Sequence, residues 1–227
     1  MILAERHVVK VGTVEFKEYD AICFLSKNMY NSALYALRKH FFETKTLKHK
    51  FQLSKEFQEQ NQPDYRAMFV RSSQQIIGIA HQSMKSFFAL IKAKKSGSYD
   101  KPVKLPKYLS KNGRQVVIYD NKAFYEKDFK EGYIRVAQTQ SRIPTKIKNI
   151  KSIQQIRLVP KGNHVVVEVL YKVTDTPLKE DNRRYAAIDL GVNNLATVVS
   201  NVDSPKIING RPLKSINQYY NKQKAKL

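Results

Sequence analysis

One stretch of the chain has the residue types and spacing of a reaction site: Ala187-Ile-Asp-Leu-Gly-Val-Asn-Asn-Leu-Ala-Thr197. Apolar residues flank Asp189, and a glycine follows two positions later. A carboxylate at the end of a buried strand can be held rigidly and presented to a metal ion or a phosphate. Gly191 permits the tight turn and close backbone approach that such a group needs. The same four residues, Ile188 to Gly191, also suit a hairpin in which the aspartate merely caps a turn.

A second set of residues promises binding rather than reaction. Between Lys92 and Arg114 stand eight cationic side chains against one acid, Asp100. Tyr99 and Tyr108 lie inside this run, Phe87 and Phe88 just before it. Cations contact phosphates, and exposed rings stack on unpaired bases. The expected nucleic-acid contacts are therefore Lys104, Lys107, Tyr108, Lys111 and Arg114; a solvated surface over core aromatics is the alternative for any one of them. Gln74 and Gln75 sit beside Ser73 in a helical pattern and have the amides to read base edges, or else form an ordinary polar helix face. Lys206 to Lys226 adds six positives and no acid.

Over the 227 residues, 41 Lys+Arg stand against 19 Asp+Glu, a net charge of +22 with a pI near 9.9. Such a surplus asks for an anionic partner. Nucleic acid is the usual one, with a ribosomal-type role or an anionic membrane surface behind it. Cys23 is the single cysteine, which excludes an intrachain disulfide and a cysteine-cluster zinc site. His7, His40, His49, His81 and His164 show no ligand spacing. No apolar run is long enough to span a membrane, and the N-terminus lacks the apolar core of a signal peptide. A cytoplasmic protein is expected.

The elements that must position these residues change in texture along the chain. Leu3–Phe16 alternates loosely and predicts a strand. Ile22, Leu25, Met29, Ala33 and Leu37 recur at helical spacing and predict a helix over Asp20–Thr44. After a polar stretch with a short helix near Ser54–Gln58, Pro63-Asp64 opens the longest helical pattern, running to Lys95. From Ser96-Gly97-Ser98 onward, short apolar runs predict strands over Gln115–Asp120, Tyr133–Val136, Ser152–Val159 and His164–Val173, the last two joined by a hairpin at Pro160–Asn163. A small barrel is the natural closure for them. Thr174–Arg183 has the composition of a linker. Beyond it come a strand over Arg184–Leu190, a turn, two further strands (Leu195–Ser200, Lys206–Asn209) and a basic helix from Ser215.

The longer context of Asp189 resembles the first RuvC motif of TnpB proteins, the OrfB-type transposon-encoded nucleases related to type V CRISPR effectors. Ile207–Lys222 is similar to the stretch that follows this motif in the family. Ser83–Lys92 and Lys104–Lys111 are similar to landmarks at the end of its recognition helices and at re-entry into its wedge domain. The resemblance covers essentially the whole chain. It implies an α+β protein with an oligonucleotide-binding-like wedge β-barrel, an inserted α-helical recognition lobe and the start of a ribonuclease-H-like RuvC α/β domain. The implied segments are a first wedge strand over 1–18, the recognition lobe over 19–98, the wedge barrel over 99–180 and the opening of RuvC over 181–227. It also implies guide RNA and target DNA as partners, with base pairing selecting the target, and Asp189 as the first catalytic, metal-binding carboxylate of a Mg²⁺-dependent DNA endonuclease.

The chain departs from this pattern in one respect that bears on activity. Two Mg²⁺ ions need several carboxylates, and the family supplies a Glu, a second Asp and four zinc cysteines from later motifs. Here the only acid after Asp189 is Asp203, in a loop without a family counterpart. No cleavage is expected from this polypeptide alone, and no zinc is expected in it. The missing motifs belong to a second polypeptide or a longer parent, or the chain is a nuclease-dead RNA-guided binder such as a repressor. A general structural RNA-binding protein is the reading from another class. Ile188–Gly191 also resembles the phosphate loop of actin-like and sugar-kinase ATPases, but the short remainder of the chain has no room for their second loop and adenosine pocket.

Overall fold

Thr13 opens the first helix. Its hydroxyl accepts a hydrogen bond from the Phe16 amide at 3.1 Å, satisfying one of the free amides of the first turn. In the computed structural model, which describes residues 1–174 and 181–226, strand β1 covers Ile2–Lys10 and helix α1 covers Val14–Thr44. The strand is shorter than the Leu3–Phe16 pattern predicts, and the helix begins before Asp20. The cap at Thr13, with Glu15 in the first turn, outweighs the β-branched Val11 and Val14.

The chain divides into two compact units, Met1–Asp175 and Thr176–Leu227. The linker expected over Thr174–Arg183 lies for the most part outside the described residues. Among the described residues no helix is long and apolar enough to cross a membrane.

In the first unit α1 is followed by α2 (Lys50–Glu59), α3 (Pro63–Arg66) and α4 (Val70–Lys95). The single helix predicted from Pro63 to Lys95 is thus broken at Ala67–Phe69. The break has a tertiary cause. The Gln138 side chain accepts from the Phe69 amide at 2.6 Å and donates to the Ala67 carbonyl at 3.4 Å, supplying partners that a continuous helix would have provided. Ser73 Oγ donates to the Tyr65 carbonyl at 3.0 Å and ties the two pieces together. Ile76, Ala80 and Met84, predicted on one face of α4, are buried there.

Strands β2 (Val117–Asp120), β5 (Ile153–Pro160) and β6 (His164–Lys172) join β1 in an antiparallel sheet of order β1-β6-β5-β2. Between β2 and β5 come a short helix α5 (Glu126–Lys130), which the sequence pattern does not predict, and a two-stranded pair of β3 (Tyr133–Ile134) with β4 (Ile143–Pro144). Asp128, fully buried at the heart of this insertion, holds Arg135 at 2.8 Å and Arg142 at 2.6 Å.

One face of the four-stranded sheet carries Val165, Val167, Val169, Ile156, Leu158, Val117 and Tyr119, which share a core with Tyr19, Ile22 and Cys23 of α1. The other face carries a row of charge: Glu168 lies opposite Arg6 on one neighbouring strand and Arg157 on the other, with contacts of 3.1 and 2.5 Å. Among the described residues no ladder joins β1 to β2. The barrel closure expected from the strand pattern is not made by hydrogen bonds, because α1 already covers the apolar face that closure would bury.

The second unit is a meander of β7 (Ala186–Leu190), β8 (Asn194–Ser200) and β9 (Lys206–Asn209), followed by α6 (Arg211–Lys224). These elements match the sequence pattern, with α6 beginning a turn early at the favourable Pro212. Burial does not match. Ile188 and Leu190 are 63% and 75% exposed, and of the described strand residues only Ala196 is buried. Apolar composition predicts a buried strand only where a second layer lies over it, and α6 buries no residue of its own.

Candidate nucleic-acid interface and a lone carboxylate

The basic segment between α4 and β2 has no regular secondary structure, so its backbone must find partners elsewhere. It finds them on α1. The Asn31 amide clamps Leu109 from both sides, donating to its carbonyl at 3.0 Å and accepting from its amide at 2.9 Å. One turn earlier, Lys27 Nζ donates to the Lys111 carbonyl at 2.9 Å. Ser26 Oγ donates to the Val116 carbonyl at 2.8 Å, and the Gln115 amide donates to the Cys23 carbonyl at 3.0 Å. Lys27 and Asn31 are the functional residues that sequence reasoning missed. Their signal was present: two polar residues at i, i+4 interrupt the apolar stripe of α1, and Lys27 is only 4% exposed.

Pinned in this way, the segment turns Leu105 and Leu109 against the core and leaves Lys104, Lys107 and Lys111 exposed. None of these three ammonium groups has a carboxylate within ion-pair distance among the described residues. Tyr108 is 44% exposed and carries the Arg38 guanidinium over its ring at 4.8 Å. The geometry presents three cations and an aromatic ring on a backbone that is already ordered, which lowers the entropic cost of binding an extended polyanion.

Arg114 is placed differently from its neighbours. Its guanidinium makes a two-point contact with Asp20, Nε to Oδ1 at 2.8 Å and Nη2 to Oδ2 at 2.7 Å, and lies 5.0 Å from the Phe24 ring centroid. The bond to Asp20 raises its pKa further above the ordinary arginine value. Its charge is engaged inside the fold.

Gln74 and Gln75 are exposed on the first half of α4. They line a cleft of about 460 Å³ with Phe69, Arg71 and Asp120. Arg71 Nη1 reaches Asp120 Oδ2 at 2.5 Å and links α4 to β2. Gln74 Nε2 is directed to the Tyr65 hydroxyl at 3.3 Å, whereas the Gln75 amide has no protein partner among the described residues.

In the second unit Asp189 lies in β7 opposite Thr197 of β8. Gly191 follows at the turn, where a Cβ would come within 2.9 Å of the Asn194 carbonyl oxygen; at Gly210 a Cβ would come within 3.0 Å of the Leu195 amide nitrogen. At Gly191 a side chain would force the backbone to shift, as expected from close approach there, and at Gly210 it would be crowded. Among the described residues no group of three His, Cys, Asp or Glu side chains is arranged to hold a metal ion. Asp203 is engaged by Lys206, which lowers its pKa. The described residues do not by themselves make a magnesium site.

Comparison with known proteins bears on the part of the chain that contains Asp189. The sequence model of the family OrfB_IS605, described as a probable transposase, matches residues 168–227. No curated protein matches the chain significantly. Among solved structures, the chain is similar to a protein of the cryo-EM structure of the Cas12f1–sgRNA–target DNA complex, at 13% identity and a TM-score of 0.33, over 98% of this chain and 61% of that one. The chain thus spans about three-fifths of the length of that protein. The segment matched by the family model holds Asp189, Gly191 and the stretch from Ile207 to Lys222, two of the landmarks on which the sequence resemblance rests, and over this segment the chain is similar to the OrfB_IS605 family of probable transposases.

Proposed function

We propose that the chain is the nucleic-acid-binding part of an RNA-guided DNA endonuclease of the TnpB type, joined to the first segment of a RuvC-like nuclease domain. The observation that carries this reading is the family match over the residues that surround Asp189. In this reading, residues 1–18 and 99–180 form the wedge, residues 19–98 the recognition lobe and residues 181–227 the opening of RuvC. Base pairing between a guide RNA and the target strand supplies sequence specificity, and the protein supplies charge and shape. Lys104, Lys107 and Lys111 neutralise phosphates, and Tyr108 stacks on an unpaired base. Gln75, with Gln74 beside it, faces base edges of duplex next to the target. Arg114 holds the basic segment in place through Asp20.

Asp189 is the first carboxylate of the nuclease site. The remaining acids and the zinc-binding cysteines come from residues outside this chain, on a partner polypeptide or a longer parent. Alone, the chain binds and does not cut. The lack of a three-residue metal-ligand group among the described residues also favours a second reading, a nuclease-dead RNA-guided binder that acts by occupying its target.

The test is to express the chain with its native flanking DNA, purify it and sequence the RNA that accompanies it. One discrete structured RNA ending in a variable guide is the expected result. Heterogeneous RNA, or ribosomal RNA alone, overturns the guided reading and leaves a general RNA-binding protein. If a polypeptide carrying the later motifs restores cleavage, Asp189→Ala abolishes it without loss of binding. Under the second reading no such polypeptide restores cutting.

A further inference from the structure

The basic run beside α1 is not the only place where cations go without partners. The insertion between β2 and β5 encloses a cleft of about 740 Å³. Lys130 from the end of α5 and Lys146, Lys148 and Lys151 from the connection between β4 and β5 line it, with Glu126 as its single carboxylate. All four lysines are exposed, and none has a carboxylate within ion-pair distance among the described residues. The nearby arginines differ in this respect: Arg135 and Arg142 are taken by Asp128 and Glu131. The acids of this insertion neutralise its arginines and leave its lysines free.

The cleft is also built rather than incidental. The Thr145 amide donates to the Gly132 carbonyl at 2.9 Å, and the Glu5 carboxylate accepts from Thr145 Oγ1 at 2.8 Å and from the Lys146 amide at 3.1 Å. At the far end Asn149 Oδ1 accepts from the Lys151 amide at 3.0 Å. The backbone is therefore tied to β1 and to Gly132 at the start of the lysine-bearing segment and turned locally at Asn149. Ile147 and Ile150 are half-buried and pack against the core, so the intervening lysines project from a fixed frame. Four unpaired ammonium groups over an apolar floor suit a ligand that carries several negative charges in sequence, joined by apolar or weakly polar links.

We propose that this cleft is a second phosphate-binding site, which takes the phosphodiester backbone of a bound nucleic acid separately from the Lys104–Lys111 stripe. The inference deepens the proposed function but rests only on its nucleic-acid-binding part. It stands whether or not the bound RNA is a guide, since a phosphodiester backbone is common to all of them.

The test uses the full chain with bulk transfer RNA and a fluorescein-labelled DNA duplex as probes, titrated by anisotropy across a salt series. The variant K146Q/K148Q/K151Q removes three charges that make no ion pair, and its thermal melt checks that the fold is kept. Each phosphate contact contributes about 0.9 to the salt slope on duplex and about 0.7 on single strands. The variant should therefore lower the slope by roughly two to three, and K104Q/K107Q/K111Q should lower it by a similar, additive amount. Lysine acetylation read by mass spectrometry should show Lys146, Lys148 and Lys151 protected by either probe. A cleft variant with wild-type slope and affinity on both probes, or cleft lysines acetylated equally with and without nucleic acid, overturns the proposal. Failure to recover a discrete guide RNA overturns the guided reading and leaves this one standing.

Discussion

Asn31 is the side chain on which the basic segment depends most directly, and its substitution is the sharpest test of how the segment is held. Asn31→Ala removes two hydrogen bonds, of 3.0 and 2.9 Å, to the Leu109 backbone. Each is worth about 0.5–1.5 kcal/mol net, so the variant should lose about 1–3 kcal/mol. Leu109 is half-buried and water can partly replace the amide, which places the expectation near 2 kcal/mol and the fall in Tm near 4–8 °C for a domain of this size. Asn31→Asp is the informative companion. It keeps an acceptor for the Leu109 amide but sets a second oxygen against the Leu109 carbonyl, where the native amide donates. The aspartate variant should therefore be no more stable than the alanine variant, despite being closer in shape. Both should weaken nucleic-acid binding, because the segment must then be ordered on association at about 1–2 kcal/mol per residue fixed. The salt slope should stay at the wild-type value, since the same lysines reach the same phosphates once bound. Thermal melts and salt-dependent anisotropy give both readouts. An Asn31→Ala variant that melts within about 1 °C of wild type, or an aspartate variant more stable than it, refutes the clamp.

Two further outcomes follow from groups that face inward. Arg114→Ala should lower stability by about 1 kcal/mol through loss of the half-exposed contact with Asp20, yet leave the salt slope unchanged, whereas Lys107→Ala should lower the slope by about 0.7–0.9 with little effect on melting; a slope that falls on loss of Arg114 would place that guanidinium on the nucleic acid instead. Burial pushes the Cys23 thiol up to about 12 and raises the phenols of Tyr19 and Tyr119 beside it. Protons are then held in the folded state and lost from the unfolded one, so stability is fully present below about pH 9 and declines as pH rises, by about 1.4 kcal/mol per pH unit for each group in turn. Denaturant melts between pH 8 and 11 should record the decline, and Cys23→Ala should make it shallower. A flat profile over that range would contradict the buried thiol and phenols.

Most of the elements were legible in the sequence because local pattern and tertiary environment agree there. The β5–β6 hairpin at Pro160–Asn163, the apolar stripe of α1 and the β7–β9 meander each carry a period and a turn signal that nothing in the fold opposes. The failures share a cause. The periodicity predicts one unbroken helix from Pro63, and the break at Ala67–Phe69 is made by Gln138, a side chain far away in the sequence. Val11 and Val14 read as strand until Thr13 caps a helix between them. Closure of the strands into a barrel was the generic solution to an apolar sheet face, and α1 is the particular one.

The same distinction separates the two parts of the candidate site. The density of lysines and the tyrosine among them in the 104–111 segment are composition, and composition is visible in one dimension. What turns that density into an interface is the clamp by Asn31 and Lys27, where polar residues sit inside an apolar stripe, and the pattern reads as noise until the partner segment is seen beside it. Arg114 shows the converse, a cation counted with its neighbours whose charge is spent on Asp20. The lysines of the second cleft do not stand out in sequence because Arg135, Arg142, Asp128 and Glu131 dilute them, although in space these four pair off and leave Lys130, Lys146, Lys148 and Lys151 without an ion pair among the described residues. Net charge counts every ion; binding is decided by the ions that folding leaves unpaired. Asp189 lies on the strand that the sequence pattern predicts, and among the described residues it belongs to no group of three His, Cys, Asp or Glu side chains that could hold a metal ion. A carboxylate on an exposed strand and a set of unpaired lysines on a well-buried unit fit the proposed division of labour, in which this chain holds nucleic acid and other residues complete the nuclease.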